Sequence, residues 1–180
     1  AMRRMPNLRL EKIAVYTGIF PVARTEAGLA AVMGHEVVHA LARHGGERVS
    51  KNTLAQTTLQ AGGVALGASG AHPVLSQAGM AALGVGAQVG VLLPFSRKHE
   101  SEADYVGVLL AAEAGYDPRE SIALWKRMEE SSGGKEPSEF MSTHPSHETR
   151  IQQLEEWMAE ALPIYQSKPP APNSELPLLR

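Results

Sequence analysis

Two histidines four residues apart, with a glutamate directly after the first, form the segment of this sequence best suited to chemistry. They are His35 and His39, and the glutamate is Glu36. On a helix, side chains four residues apart share a face, so both imidazoles can converge on one ion. The glutamate lies about 100° further round the helix, beside such an ion rather than on it. A motif this short also occurs by chance on ordinary buried helices, so it needs further support.

The chemistry that this pattern indicates is hydrolysis with a zinc-activated water. Zinc lowers the pKa of a bound water toward about 7, which makes hydroxide available at neutral pH. We therefore predict that His35 and His39 bind one zinc ion per chain and that Glu36 is the general base. Because the sequence contains no cysteine, any further ligand must be His, Asp, Glu or water.

A third protein ligand is expected, because catalytic zinc usually has three and keeps one position open. His44 points about 140° away from His39 on a continuous helix, which favours a structural or surface role for it. Between His39 and Glu100 the only acidic residue is Glu47. Since Glu47 follows Gly45-Gly46, where we expect the helix to end, the chain would have to fold straight back for it to reach the metal.

The next acidic residues form a cluster on another predicted helix. Glu100 and Asp104 are four residues apart and share a face, whereas Glu102 points about 200° away from Glu100. We predict that Glu100 is the third ligand. Asp104 would accept the other ring N–H of one ligand histidine, as carboxylates near metal sites usually do. The alternative is a solvated acidic face that balances Arg97-Lys98.

The elements that position these residues are predicted to be mostly helical. Thr25 can cap a helix that runs to about Arg43, and Gly115 can stop a helix that begins near Ser96. We further predict a strand at Lys12–Thr17, two helices split near Ala71-His72-Pro73, a helix from Asp117 to Ser131, and a last helix from His144 to Pro163. Residues 1–162 would form one domain and residues 163–180 a proline-rich tail, disordered or draped on the surface.

The interval Asn52–Ser96 contains no charged residue. A membrane span needs about 20 apolar residues, but glutamines, glycines and Pro73 interrupt this stretch. We favour a buried or partner-facing helical hairpin, with membrane association as the alternative. The formal net charge of -2 gives no general attraction to nucleic acid, so nucleic acid is not an expected partner.

Taken together, several separated motifs resemble metallopeptidase family forty-eight. The matching segments are His35–His44, Ser96–Gly107, Gly115–Pro118 and Ser142–Pro145 with Arg150, within about Lys12 to Glu155. The resemblance implies a gluzincin-type zinc site on His35, His39 and Glu100, with Asp104 beside it as a supporting group or proton donor. It also implies a mainly α (α+β), zincin-like fold with a small β-sheet at the cleft. The run before Lys12 departs from the family pattern, so the chain looks trimmed or altered there.

The resemblance also draws attention to two residues further along the chain. His144 either acts as a fourth ligand or oxyanion stabiliser, or only caps a helix next to Pro145. His147 ranks lower because it lies inside that predicted helix. Arg150 either binds a substrate carboxylate or backbone, or lies on the helix surface.

The expected function is zinc-dependent hydrolysis of peptide bonds in proteins. The resemblance implies misfolded or membrane-associated substrates, and a location in the bacterial periplasm or at a membrane. A rival interpretation is a chaperone-like envelope assembly factor that cuts rarely, with Asn52–Ser96 as its contact surface. A latent zinc protein held shut by His144 is a further alternative. The sequence gives no indication of the oligomeric state.

Overall fold

The structure, a computed structural model, is mainly helical, as expected. It describes residues 15–68, 70, 73–87, 92–131 and 149–177. In chain order the elements are a 3-10 helix Thr17–Ile19, α1 Phe20–Ala23, α2 Glu26–Leu41, α3 His44–Ala68, α4 Pro73–Ala87, α5 Leu93–Glu113, α6 Arg119–Ser131 and α7 Arg150–Gln166. The expected small sheet is not seen within these ranges, where an isolated antiparallel bridge joins Thr25 and Glu175.

Most predicted helices occur where the capping signals indicate them. The Thr25 side chain accepts a hydrogen bond from the Gly28 N–H at 3.1 Å and so caps α2. Helix α5 ends just before Gly115, whose φ of +84° is the left-handed conformation that glycine adopts most readily. Of the two helices in the uncharged stretch, α3 ends at Ala68 and α4 begins at Pro73, which agrees with the predicted split.

Three predicted boundaries were wrong. Helix α2 ends at Leu41 and Gly45-Gly46 lies inside α3, because the break is made by Arg43 in a left-handed conformation (φ 57°). Thr17 begins a 3-10 helix instead of closing a strand, and residues 12–14 of that predicted strand lie outside the described residues. Helix α7 continues past Pro163 to Gln166, since a proline so near the end removes few helical hydrogen bonds.

The close crossing of α2 and α5 positions the residues of interest. A Cβ added at Gly34 would lie 2.6 Å from the Gly107 carbonyl oxygen, and one added at Gly107 would lie 2.8 Å from the His35 nitrogen. Only glycine therefore permits this approach. Because His35 follows Gly34, and Asp104 lies one turn before Gly107, the crossing brings these two side chains together. The core is completed by α6 and α7, with Leu124, Trp125, Met128, Leu154 and Met158.

The proline-rich segment after α7 runs back along the start of α2. The Ala27 N–H donates to Asn173 Oδ1 at 3.0 Å, and the Leu176 N–H donates to the Arg24 carbonyl at 2.7 Å. The first turn of any helix has N–H groups without a partner inside the helix. The segment supplies acceptors for two of them, because the Glu26 N–H also donates to the Ser174 carbonyl at 3.0 Å, and so it fixes the start of the helix that carries His35.

Helices α3 and α4 pack on each other as a hairpin and leave apolar side chains in solvent. Leu54, Val64, Leu83 and Val85 are between 54% and 74% exposed. The hairpin is therefore not buried at these residues, and the other part of the expectation, a partner-facing hairpin, stays a prediction. Within the described ranges, no helix has both the length and the apolar character needed to cross a membrane.

Candidate active site and metal centre

The side chains of His35, His39 and Glu100 converge between α2 and α5. The two Nε2 atoms of His35 and His39 lie 3.0 Å apart. Glu100 Oε2 lies 3.4 Å from His35 Nε2, and Glu100 Oε1 lies 3.5 Å from His39 Nε2. In the described part of the chain these three residues form a group suited to holding a metal ion. The spacing read from the sequence thus places the three predicted ligands together.

The distances between donor atoms fit a tetrahedral zinc ion. Donors at 2.0–2.1 Å from one tetrahedral zinc are about 3.3–3.4 Å apart. The two imidazole Nε2 atoms are 3.0 Å apart, and each lies 3.4–3.5 Å from one of the two Glu100 oxygens, which is close to that value. Two imidazole nitrogens and a carboxylate are also donor types that zinc prefers, and three protein donors leave one position open. The residues present therefore fit a catalytic zinc ion.

Asp104 supports His35 from the side away from the other donors. Its Oδ1 lies 2.8 Å from His35 Nδ1, and both side chains are buried. A hydrogen bond from Nδ1–H to this carboxylate leaves the Nε2 lone pair directed toward His39 and Glu100. The contact is the one that the sequence predicted for Asp104 and a ligand histidine.

Arg150 is fully buried beneath this pair, which excludes the helix-surface position considered for it. Its Nη2 donates to Asp104 Oδ1 at 2.6 Å and lies 3.5 Å from Glu100 Oε2. The guanidinium lies over the ring of Trp125, 3.3 Å from the ring centroid. The contact shown is thus to Asp104, and binding of substrate by Arg150 stays a prediction.

The charges around the three donors suit a divalent cation. Among the described residues, two buried carboxylates, Glu100 and Asp104, face one buried guanidinium, Arg150, which leaves one negative charge in excess. Burial lowers the pKa of His35, but hydrogen bonds with Asp104 and Glu100 outweigh it, so the net pKa is raised above its usual value.

Glu36 follows His35 on α2 and is half-buried. One residue on a helix is about 100° of rotation, so its side chain leaves α2 beside that of His35 and is directed away from the position of a ligand. The His39 side chain is the most open of the donors, at 16% exposed against 6% for the other two. Of the three donors, His39 is therefore the one that solvent reaches most easily. His144 and His147 lie outside the described residues, and a role for His144 stays a prediction.

The structure reveals one neighbour of the centre that sequence reasoning missed. His44 is buried, and its Nδ1 lies 2.9 Å from His39 Nδ1. The prediction that it points away from His39 was wrong, because α2 ends at Leu41 and Arg43 turns the chain. Glu102, rightly set apart from Glu100, lies 3.6 Å from His44 Nε2. The sequence did contain a signal for this contact, because His44 lies only five residues after His39.

Comparison with known proteins finds a peptidase family that this chain matches. Residues 5–158 match the model of peptidase family M48. The mitochondrial metalloendopeptidase OMA1 of Schizosaccharomyces pombe is 40% identical over 154 residues, which cover 83% of this chain and 42% of that protein. The Saccharomyces cerevisiae protein of the same name is 32% identical over 86% of this chain and 43% of its own length.

A bacterial relative is more distant. The beta-barrel assembly-enhancing protease of Escherichia coli is 29% identical over 143 residues, which cover 77% of this chain and 29% of that protein. The chain therefore spans less than half the length of these relatives. No solved structure matches it.

Proposed function

Because the chain belongs to peptidase family M48, we propose that it is a zinc-dependent endopeptidase. The observation that supports this proposal most strongly is the convergence of His35, His39 and Glu100, with Glu36 next to His35 on the same helix. The relatives' names, metalloendopeptidase and protease, favour this activity over an assembly factor that rarely cuts.

Each residue of the site has a separable task in this proposal. When bound, zinc supplies a Lewis acid for the substrate carbonyl and lowers the pKa of water. His35, His39 and Glu100 hold the ion, and Asp104 keeps the proton of His35 on Nδ1. The Glu36 carboxylate takes one proton from the attacking water as the peptide C–N bond is cleaved, and delivers it to the leaving amine.

The proposal extends to the substrates and location, which the relatives support only by name. One group is named mitochondrial and another is named for beta-barrel assembly. We therefore place the substrates among proteins of a membrane or an envelope compartment. Location in the bacterial periplasm and zinc at one ion per chain are finer parts of the same proposal.

Metal removal tests the proposed activity. Dialysis against a strong chelator is expected to abolish casein hydrolysis, because the three donors hold the ion that polarises the substrate carbonyl. About one equivalent of zinc should restore hydrolysis, and magnesium should not, since it prefers oxygen ligands. Casein hydrolysis that persists unchanged in the metal-free protein would contradict the proposal.

A second part of the proposal concerns the α3–α4 hairpin as a contact with an anionic membrane. The hairpin exposes Leu54 and Leu83 and has no charge from residue 52 to residue 96. Exposed cationic side chains lie just before the uncharged stretch and just after it in the sequence: Arg43, Arg48, Arg97 and Lys98. An apolar surface bordered by cations suits shallow insertion among anionic headgroups.

Vesicle flotation tests the membrane contact. The protein is expected to float with vesicles that contain phosphatidylglycerol and less with pure phosphatidylcholine. Replacing Leu54 and Leu83 together by serine should weaken binding roughly tenfold or more, because less apolar surface leaves water. Leu110→Ser, an exposed leucine on α5, is the matched control. Equal flotation of all three proteins would refute the contact.

A further inference from the structure

We propose that His44 is a positioning residue for His39, and this inference rests on the proposed zinc site. The two rings meet edge to face with their centroids 4.9 Å apart, and the Nδ1 atoms are 2.9 Å apart. His44 is only 4% exposed. A polar contact this short between two largely buried rings restricts the orientation of both.

The proton positions follow from which nitrogen of His39 faces the ion. Its Nε2 faces His35 Nε2 and Glu100, so the lone pair of that nitrogen is the one a metal would take. The proton of the neutral ring then lies on Nδ1, and His44 Nδ1 accepts it. His44 consequently carries its own proton on Nε2, which faces Glu102 Oε2 at 3.6 Å.

A second histidine fixes the ring of His44 from its face. His99 stacks on it with ring centroids 4.0 Å apart and an angle of 7° between the planes. His99 Nε2 lies 3.2 Å from Glu47 Oε2. His44 thus stacks on His99 and has its Nε2 near the Glu102 carboxylate, while its Nδ1 is directed to His39.

The backbone reaches this arrangement through an unusual residue. Arg43 adopts φ 57°, a conformation that residues other than glycine seldom adopt. It separates α2 from α3, so that His44 begins a new helix facing back toward His39. The two proposed histidine ligands therefore have different supports: a carboxylate paired with arginine for His35, and a second imidazole for His39.

The test compares two substitutions that differ in one acceptor. His44→Asn keeps an acceptor close to the position of Nδ1, whereas His44→Leu removes it. Zinc affinity is measured on metal-free protein by competition with a chromogenic chelator. We expect His44→Leu to weaken zinc binding about 10- to 100-fold and His44→Asn to restore most of that loss. Melting of the metal-free variants measures any purely structural cost.

A spectroscopic signature accompanies the affinity. In zinc-loaded wild type and His44→Asn, the ring ¹H–¹⁵N spectrum should show a slowly exchanging His39 Nδ1–H, which should be lost in His44→Leu. Equal zinc affinity of wild type and His44→Leu would overturn the inference, as would equal weakening in both variants. These outcomes are distinguishable from failure of the proposed endopeptidase activity, because in that case the zinc-loaded wild type itself would not cleave casein.

Discussion

Replacing Glu36 by glutamine is expected to lower kcat/KM for casein hydrolysis by about 10²- to 10⁴-fold. Glutamine has nearly the same shape but cannot take a proton from water at neutral pH. Glu36 is not one of the three converging donors, so the variant should bind zinc as tightly as the wild type. The measurement is initial rate of cleavage together with zinc affinity on the same preparation.

A matched control for this change lies on the same helix. Glu26→Gln makes the identical substitution in the first turn of α2, far along the helix from the metal donors. It is expected to keep wild-type activity. If Glu36→Gln cleaves casein at the wild-type rate while zinc remains bound, Glu36 is not the general base.

Replacing Arg150 by methionine is expected to lower the free energy of unfolding of the metal-free protein by about 3–5 kcal/mol. The guanidinium is fully buried and donates to Asp104 Oδ1 at 2.6 Å. Without it, a buried carboxylate has lost its cation, and the stacking on Trp125 is lost as well. Urea unfolding followed by far-UV circular dichroism measures this change.

Two comparisons show whether the loss comes from the buried charge. Lys126→Met removes an exposed cation paired with Glu155 and should cost less than about 1 kcal/mol. Adding Asp104→Asn to Arg150→Met should recover part of the lost stability, because the uncompensated charge is then removed. A cost for Arg150→Met no larger than that for Lys126→Met would contradict a buried structural ion pair.

Much of the site could be predicted because helical spacing is a local rule. His35 and His39 share a face of α2 wherever that helix begins and ends. Because Glu47 is the only acidic residue between His39 and Glu100, the sequence then restricted the third donor to the cluster that begins at Glu100. The caps at Thr25 and Gly115 located the ends of α2 and α5 that matter for the crossing.

What could not be predicted depended on unusual backbone conformation or on distant contacts. The end of α2 was misplaced because Gly45-Gly46 is a stronger stop signal than Arg43, which nevertheless adopts the left-handed conformation. That error hid the contact between His44 and His39. The pairing of Arg150 with Asp104 joins residues 46 positions apart and depends on how α7 packs, which no local pattern specifies.

The zinc content of Glu100→Gln tests the central claim most directly. Metal-free protein would be loaded with zinc, passed through a desalting column and analysed by plasma mass spectrometry. Glu113→Gln makes the same change at an exposed pair with Lys168 on the same helix and serves as the control. We expect about one zinc per chain in the wild type and in Glu113→Gln, and far less in Glu100→Gln. A Glu100→Gln protein that retains zinc as fully as the wild type would contradict a centre built on His35, His39 and Glu100.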